Sequence, residues 1–451
     1  MLLFNGVTHS ESETRGTALK PKTGIRITAE YKKVKRLLSD GAPVVFVTGK
    51  AGTGKSTLVH HLRNTIKGNC VIVAPTGVAA MNIQGATIHS FFRFPPRTLV
   101  APDAREVAYS RPYKTLDLII VDEVSMVRAD VLDAIDRFMR LNGPCADLPF
   151  GGVQVLLVGD LHQLPPVVAS TEDAQYFATE YESPFFFSSH VFAQAEVQGV
   201  ELTRIFRQKD KRFIDILNSI RLGCPTSDLL DEMNTRVTPR VDSQRETVLS
   251  TTNLIANRIN KRHLAALLSN AEMYVGALEG NFNITNNRLP SPMELLLKPE
   301  ARVMFTRNDP DGRWVNGTRG VVRELSKKSV SVELHENGEM VDVDKTKWET
   351  YRYEFDEDEG IHIPVVTGSY EQLPLTHAWA ITIHKSQGKT LSAARIDLGR
   401  RAFAPGQVYV ALSRCRRLKD ISLSRPITPR DVFCDARVKR FYGSMFGGSS
   451  E

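Results

Sequence analysis

Short apolar runs rich in Val and Ile recur along the chain, and the stretches between them carry apolar residues at helical spacing. Val44–Thr48, Cys70–Ala74, Leu116–Val121 and Val153–Val158 are too short for helices and too apolar for half-exposed strands, so they predict buried strands. Arg128–Leu141 and Arg212–Leu222 predict helices, the second with Phe213, Ile216, Leu217 and Ile220 on one face. Strand and helix in alternation imply a parallel sheet covered by helices. A second group of such segments begins at Thr247–Ser250 and resumes at Ala378–Ile383 and Val408–Leu412.

Between the two groups the texture changes. Arg302–Arg323 and Ser329–Val343 alternate at period two around Asp-Gly, Asn-Gly and Glu-Asn-Gly turns, which predicts hairpins and a small β unit. Arg93–Lys114, rich in Pro and Arg, reads as a lesser insertion. The expected division is a loose tail over 1–25, a first α/β domain over 26–205 with an insertion at 93–114, a second α/β domain over 206–306 and 375–441, an inserted β unit over 307–374, and a tail over 442–451.

A length of 451 residues fits about two to four domains, and 42% hydrophobic with 24% charged residues is the composition of a globular protein. Lys and Arg outnumber Asp and Glu by 58 to 51, which permits a polyanionic partner without requiring one. The excess gathers late in the chain, around Arg414, Arg416, Arg417 and Lys419, whereas Asp342–Glu359 is acidic and reads as a solvated face. Five scattered cysteines, without a C-x-x-C pair, predict reduced thiols and no structural metal. Met1–Phe4 is too short for a signal-peptide core, Glu11 and Glu13 argue against a mitochondrial presequence, and no run reaches the roughly 18 apolar residues of a membrane span. The expectation is an intracellular, soluble, cytoplasmic protein, of a bacterial or phage kind given short ends.

Four segments carry chemistry. Gly49-Lys-Ala51-Gly52-Thr53-Gly54-Lys55-Ser56 matches the phosphate-loop pattern and stands between a strand and a helix, where backbone N–H groups can wrap phosphates. Lys55 would reach the β and γ oxygens and Ser56 would ligate Mg²⁺. Leu118-Ile-Ile-Val-Asp122-Glu123 ends a strand in two acids, Asp122 placed to hold Mg²⁺ through water and Glu123 to activate the attacking water. Val158-Gly-Asp160-Leu-His-Gln163 offers Gln163 as a γ-phosphate sensor, and Arg207 and Arg414 are candidate arginine fingers. Last, Thr382-Ile-His384-Lys385-Ser386-Gln387-Gly388 closes a buried strand with polar donors suited to a nucleic-acid backbone, and Gly388 would admit close approach of a phosphate.

Taken in order, these motifs resemble the superfamily 1 helicases of the 5′-to-3′, RecD-like branch, and within it the Pif (petite integration frequency) family. The resemblance runs through Gly49–Thr57, Ala74–Ala80, Gly85–Phe92, Asp122–Met126 with the helix after it, Gly159–Val167, Leu202–Gln208, His377–Leu391 and Gln407–Cys415. It covers residues 27 to 425 or so. Asn308-Asp and Val315–Gly320 resemble the entry to the family's inserted SH3-like barrel. The resemblance implies two RecA-like domains with ATP and Mg²⁺ between them. Single-stranded and tailed duplex DNA, with G-quadruplex or RNA–DNA hybrid substrates, would be its partners, and the protein would act as a monomer or as a dimer on DNA.

For single residues, the resemblance gives the ATPase roles to Lys55, Ser56, Asp122, Glu123, Gln163, Arg207 and Arg414, with Gly49, Ala51, Gly52, Thr53, Gly54, Thr57 and Gly388 around the nucleotide. It puts Pro75, Thr76, Gly77, Val78, His89, Ser90, Phe91, Thr382, His384 and Ser386 at or near DNA. Arg207 and Arg414 are expected on the second domain, across the cleft from Lys55. One departure stands out: Tyr31 occupies the place of the Gln that reads adenine in the family. Tyr can stack on a base but cannot make paired amide contacts. Two rival readings remain open at this point: a phosphate-loop switch or kinase, which leaves the second-domain segments unexplained, and a nucleic-acid ATPase without strand separation. Repair, recombination, replication and telomere upkeep all fit the family.

Overall fold

A computed structural model describes residues 26–447 apart from 67, 169, 240–245, 283–288, 315, 336 and 359–360. The tail expected over 1–25 lies outside the described residues.

Six parallel strands form the first sheet, in the order Ala86–Thr87, Cys70–Ala74, Leu118–Val121, Gln154–Val158, Val44–Gly49, Val197–Leu202. Their alternate residues feed two separate cores, as a period of two requires. Phe46, Val71, Val73, Ile119 and Val155 face one side, under the helix Ala129–Asn142 with Leu132, Ile135, Phe138 and Met139. Val45, Val47, Ile72, Ile120 and Leu156 face the other, under Leu58, Val59 and Leu62 of the helix Lys55–Thr65 and Tyr31, Val34 and Leu38 of Ala29–Ser39. A strand buried on both faces has no polar side to show, which is why these runs read as uniformly apolar.

The second sheet has four parallel strands, ordered Ala380–Thr382, Thr247–Ser250, Ala394–Asp397, Ile421–Leu423. Phe213, Ile216, Leu217 and Ile220 of the helix Lys211–Leu222 pack on it as their spacing predicts. Val408–Leu412, expected as a strand, is instead part of the helix Gln407–Leu412. Every residue of that helix is buried, so its apolar run has no periodicity to tell it from a strand. The two parallel sheets bear out the two expected α/β domains.

The β unit contains a five-stranded antiparallel sheet, ordered Met340–Asp344, Ser329–Leu334, Arg319–Leu325, Arg302–Phe305, Leu375–His377. Its core of Val303, Phe305, Trp314, Val322, Val330 and Val332 also takes Tyr274, Leu295 and Leu297 from the strand pair Glu272–Val275 and Glu294–Leu297. The unit therefore draws on residues well before the expected start at 307.

A separate long hairpin, Thr346–Asp356 with Ile361–Gln372, reaches the first domain. Tyr353 Oη accepts from the Ile72 N–H at 3.1 Å, and Asn69 Oδ1 accepts from the His362 N–H at 2.7 Å. The strand Ala86–Thr87 pairs only with Val73 and Ala74, which leaves the Ile72 N–H free for the tyrosine. Glu357 bonds to Arg111 and Tyr109, so the acidic run is a docked hairpin in part and not simply a solvated face.

Two further differences concern the ends of domains. The tail expected from 442 is the last part of the helix Ala436–Phe446. Its Phe441 and Phe446 rings lie 5.7 and 6.3 Å from Phe46, so this final helix packs back on the first sheet. Among the described residues, no helix is long and apolar enough to cross a membrane.

Candidate active site

The phosphate loop leaves the strand Val44–Gly49 and enters the helix Lys55–Thr65. Gly49, Gly52 and Gly54 all have positive φ, at 155°, 83° and 93°. At Gly52 and Gly54 a side chain is excluded twice over. A Cβ on Gly52 would lie 2.5 Å from Arg207 Cβ, and one on Gly54 would lie 2.5 Å from Tyr31 Oη. Thr53, fully buried, turns its hydroxyl to the Lys50 carbonyl. Ser56 and Thr57 are exposed at the start of the helix, and Ser56 lies in the wall of the cleft.

Lys55 Nζ donates to the Gly49 and Lys50 carbonyls at 2.8 and 3.2 Å. Burial lowers its pKa, while Asp160 and Glu123 favour the charged form. Asp122 and Glu123 follow the strand Leu118–Val121, which is separated from Val44–Gly49 by the strand Gln154–Val158. Burial, reinforced by the charge of Glu123, raises Asp122 to about 7. Glu123 is also raised by burial, with Lys55 and Arg414 opposing. Two acids held this way suit a site that gains a cation. Ser56 and Asp122 would hold Mg²⁺ with the phosphates, and the ion would supply charge neutralisation there. Glu123 has φ 51°, a left-handed conformation unusual for this residue and common where a side chain is aimed at chemistry.

These groups share one cleft of about 1880 Å³, larger than a typical small-molecule pocket, whose walls include Lys55, Ser56, Glu123, Gln163, Arg207, Gly388 and Arg414. Gln163 donates from Nε2 to Asp160 at 3.1 Å. Burial alone would raise Asp160, but Arg221 and Lys55 hold it at about 2. Arg414, 1% exposed, comes from the second domain and is pinned by Val410, Ser386 and Ser413. Burial and the neighbouring Arg207 lower its pKa, while the charge of Glu123 is among those that favour the cation.

Arg207 is not across the cleft. It follows the last strand of the first sheet, in a loop where the Phe206 N–H bonds the Gly52 carbonyl at 2.9 Å, and its guanidinium reaches the Ser413 carbonyl at 3.2 Å. The residue bridges the two domains because a close approach to Gly52 fixes its backbone against the phosphate loop.

Tyr31 also departs from expectation. It stands in the wall of the cleft, but it is 3% exposed and its hydroxyl donates to the Gly54 carbonyl at 2.6 Å, so it buttresses the phosphate loop and offers little ring face to a base. Gly388, at φ 77°, has open space around it. Glycine suits this turn for its backbone conformation.

The residues expected at DNA end or follow the strands Cys70–Ala74, Ala86–Thr87 and Ala380–Thr382. Pro75, Thr76 and Gly77 are half-buried, and Thr76 caps the helix Gly77–Asn82 by accepting from the Ala79 N–H. The side chain of Val78 lies outside the described ones. His89 is half-buried and Ser90 exposed. Phe91, by contrast, is a core residue, 6% exposed, between Phe92, Tyr113 and the hairpin's Tyr353 and His362. In the second domain His384 is exposed, but Thr382 and Ser386 are buried and bond locally to Lys385 N–H and the Ile383 carbonyl. Those two hold the turn, and His384 and Lys385 are the groups it presents.

A scan against family models matches residues 27–228 to the PIF1-like helicase family. The ATP-dependent DNA helicase Pif1 of Bdellovibrio bacteriovorus is 32% identical over 443 residues, covering 95% of this chain and 94% of that protein. The chain belongs to the PIF1-like helicase family. The human ATP-dependent DNA helicase PIF1 is 33% identical over 95% of the chain, which spans 65% of that longer protein. Unliganded Pif1 from Bacteroides sp., 35% identical, superposes with a TM-score of 0.85 over 94% of this chain and 98% of its own. The same relative bound to ssDNA gives 0.67 over 93% and 97%. This structure thus superposes better on the unliganded relative than on the ssDNA-bound one.

Several residues of the site carry little or no signal in the sequence. Asp160 stands inside a motif, but nothing local says that it gathers four donors. Tyr409, whose hydroxyl accepts from the Ala51 N–H at 2.7 Å, lies in a run that reads as a strand. Gln387 sits in a polar segment whose pattern gives it no role of its own. Arg221 and Tyr442 belong to no motif at all.

Proposed function

We propose that this protein is an ATP- and Mg²⁺-dependent DNA helicase that moves 5′ to 3′ along single-stranded DNA and unwinds tailed duplexes. One observation carries the reading. The phosphate loop and Glu123 come from one parallel sheet and Arg414 from the other, around a single cleft, so the complete ATPase exists only when the domains are closed on each other. Motion of the two domains then follows the nucleotide cycle. Pro75, Thr76, Gly77, His89 and Ser90 on one domain, and His384 on the other, are placed to grip DNA alternately. Thr382 and Ser386 shape the second grip. Supporting this are the relatives' names, ATP-dependent DNA helicases, and the relative solved with ssDNA. G-quadruplexes, RNA–DNA hybrids, cooperation of two copies on a fork, a role in repair or recombination, and a cytoplasmic setting belong to the same proposal.

The test is steady-state hydrolysis with and without oligonucleotide. Turnover is expected to be nearly absent alone and strongly stimulated by single strands. Equal rates would overturn the reading.

A further inference from the structure

We infer that Tyr442, on the C-terminal helix, is a positioning residue for ATP hydrolysis, acting through Arg221 and Asp160 on Gln163. This rests on the ATPase reading above and extends it to a helix outside the walls of the cleft. Its starting point is the crowded carboxylate of Asp160. Oδ1 accepts from the His162 N–H at 3.2 Å and from Arg221 Nη2 at 3.3 Å. Oδ2 accepts from Gln163 Nε2 at 3.1 Å and from the Tyr409 hydroxyl at 3.4 Å. The carboxylate is thus held by its own turn and by two segments of the second domain, and one of its partners is Gln163, the candidate γ-phosphate sensor in the wall of the cleft.

Arg221 is the strongest of the four partners, because it alone is charged. It is 5% exposed, and its Nε has no acceptor among the described residues. Its aim is therefore set by Asp160 on one side and by Tyr442 on the other. The Tyr442 hydroxyl accepts from Arg221 Nη2 at 3.1 Å, and the guanidinium sits over the tyrosine ring, 5.3 Å from its centre. An arginine only donates, so the phenol accepts from it, and the phenol is also hydrogen-bonded with the Thr48 hydroxyl. Thr48 is fully buried at the end of the strand that becomes the phosphate loop.

One hydroxyl therefore joins the base of the phosphate loop to the second domain's Arg221, and Arg221 passes the constraint to Asp160 and Gln163. Closure of the domains reaches the same point by a second route. A Cβ on Gly406 would lie 2.3 and 2.4 Å from the His162 and Gln163 carbonyls, so the second domain touches this turn directly. Removing the hydroxyl leaves the ring in place but frees Arg221 to turn, and Gln163 loses its fixed aim. An aligning contact of this kind shows in turnover more than in substrate binding.

The experiment compares Tyr442→Phe with Val438→Ala in the full chain, at saturating single-stranded DNA. Val438 is a packing residue on the same helix, 1% exposed. Tyr442→Phe is expected to lower kcat about tenfold, with KM for ATP within about twofold and a smaller fall in Tm than Val438→Ala shows. Val438→Ala is expected to lower Tm while leaving kcat within about twofold. Unchanged kcat in Tyr442→Phe would overturn the inference. So would a kcat loss that merely tracks Tm in both variants. If the unaltered protein shows no DNA-stimulated hydrolysis, it is the ATPase reading that fails, and the two failures are thereby told apart.

Discussion

The side-chain amide of Gln387 donates a hydrogen bond of 3.2 Å to the Glu123 carboxylate, across the cleft between the two parallel sheets. Gln387 follows directly on His384–Ser386, the segment proposed to grip DNA, and Glu123 is the candidate base. The contact gives the DNA grip a direct line to the hydrolytic water. Moving Gln387 away would free the carboxylate to accept a proton, and holding it would keep the base occupied. Gln387→Ala should therefore uncouple the two: hydrolysis without DNA rises about tenfold and the stimulation by DNA shrinks accordingly, while KM for ATP changes by less than about threefold. Measuring the stimulation ratio in the variant checks this, and an unaltered ratio would count against it.

Lys55→Ala should abolish turnover, at least about a hundredfold, because it removes the cation expected to meet the β and γ oxygens. Glu123→Gln separates two roles. It removes the base and leaves Asp122 as the magnesium partner, so nucleotide binding persists while kcat falls about 10²–10⁴-fold. Binding of a fluorescent ATP analogue beside a phosphate-release assay tests both. Loss of binding in Glu123→Gln would show that the acid holds the metal instead.

The hairpin carrying Tyr353 and His362 covers Phe91, next to the segment expected to hold DNA, and its docking should weaken in mild acid. Burial lowers the His362 pKa to about 4, against about 6.5 for a free histidine. The docked form thus disfavours the proton. Docking is at full strength above about 6.5 and is lost progressively as pH falls towards about 4, because only the undocked histidine readily takes the charge. From pH 7.5 to 5.5 the undocked fraction should rise about tenfold. A dye pair on the hairpin and on the helix Ala129–Asn142 reads this, with His362→Asn as the control that should flatten the response. Tyr353→Phe should also loosen the hairpin, read by the same dye pair, since it leaves the Ile72 N–H without the tyrosine as partner.

DNA affinity should fall steeply with salt and depend little on base sequence. The segments proposed to grip DNA offer backbone donors, short polar side chains, two histidines and Lys385, with no array of amides to read base edges. For single strands log K falls by about 0.7 per log unit of salt for each neutralised phosphate. Fluorescence anisotropy from low to moderate salt measures the slope, and a flat line would contradict it.

What the sequence makes legible divides along a physical line. The sheets are readable because strands buried on both faces must be apolar throughout. The phosphate loop is readable because glycines at that spacing, between a strand and a helix, rarely serve any purpose but wrapping a phosphate. Val408–Leu412 misleads for a related reason: a helix with every residue buried loses its period. Phe91 misleads because a DNA-facing motif can contain core residues, and only packing against Tyr353 and His362 reveals which they are. Tyr442 reads as part of a tail because the return of a C-terminal helix to the first sheet leaves no local pattern. The long-range contacts of Asp160 are invisible on the same ground, since their partners lie far apart in the chain.

The final prediction is polarity. Duplexes with a 5′ single-stranded tail should open, and those with only a 3′ tail should not. Both branches of the superfamily share the phosphate loop, the acid pair and the arginines, so none of these decides direction. Direction depends on which domain loosens its grip as the cleft closes. In this protein Arg414 bonds the Ser386 carbonyl and Arg207 the Ser413 carbonyl, which connects the nucleotide cleft to the turn that carries His384. If the grip at His384 slides while Thr76 and His89 hold, and the order reverses on release, each cycle advances the motor by about one nucleotide in a single sense. Family membership makes that sense 5′ to 3′. Two labelled duplexes identical except for tail polarity, mixed with enzyme and ATP under single-turnover conditions, give the answer. Preferential opening of the 3′-tailed duplex would refute the assigned direction and the order of grips, while the ATPase assignments to Lys55, Glu123 and Arg414 would stand.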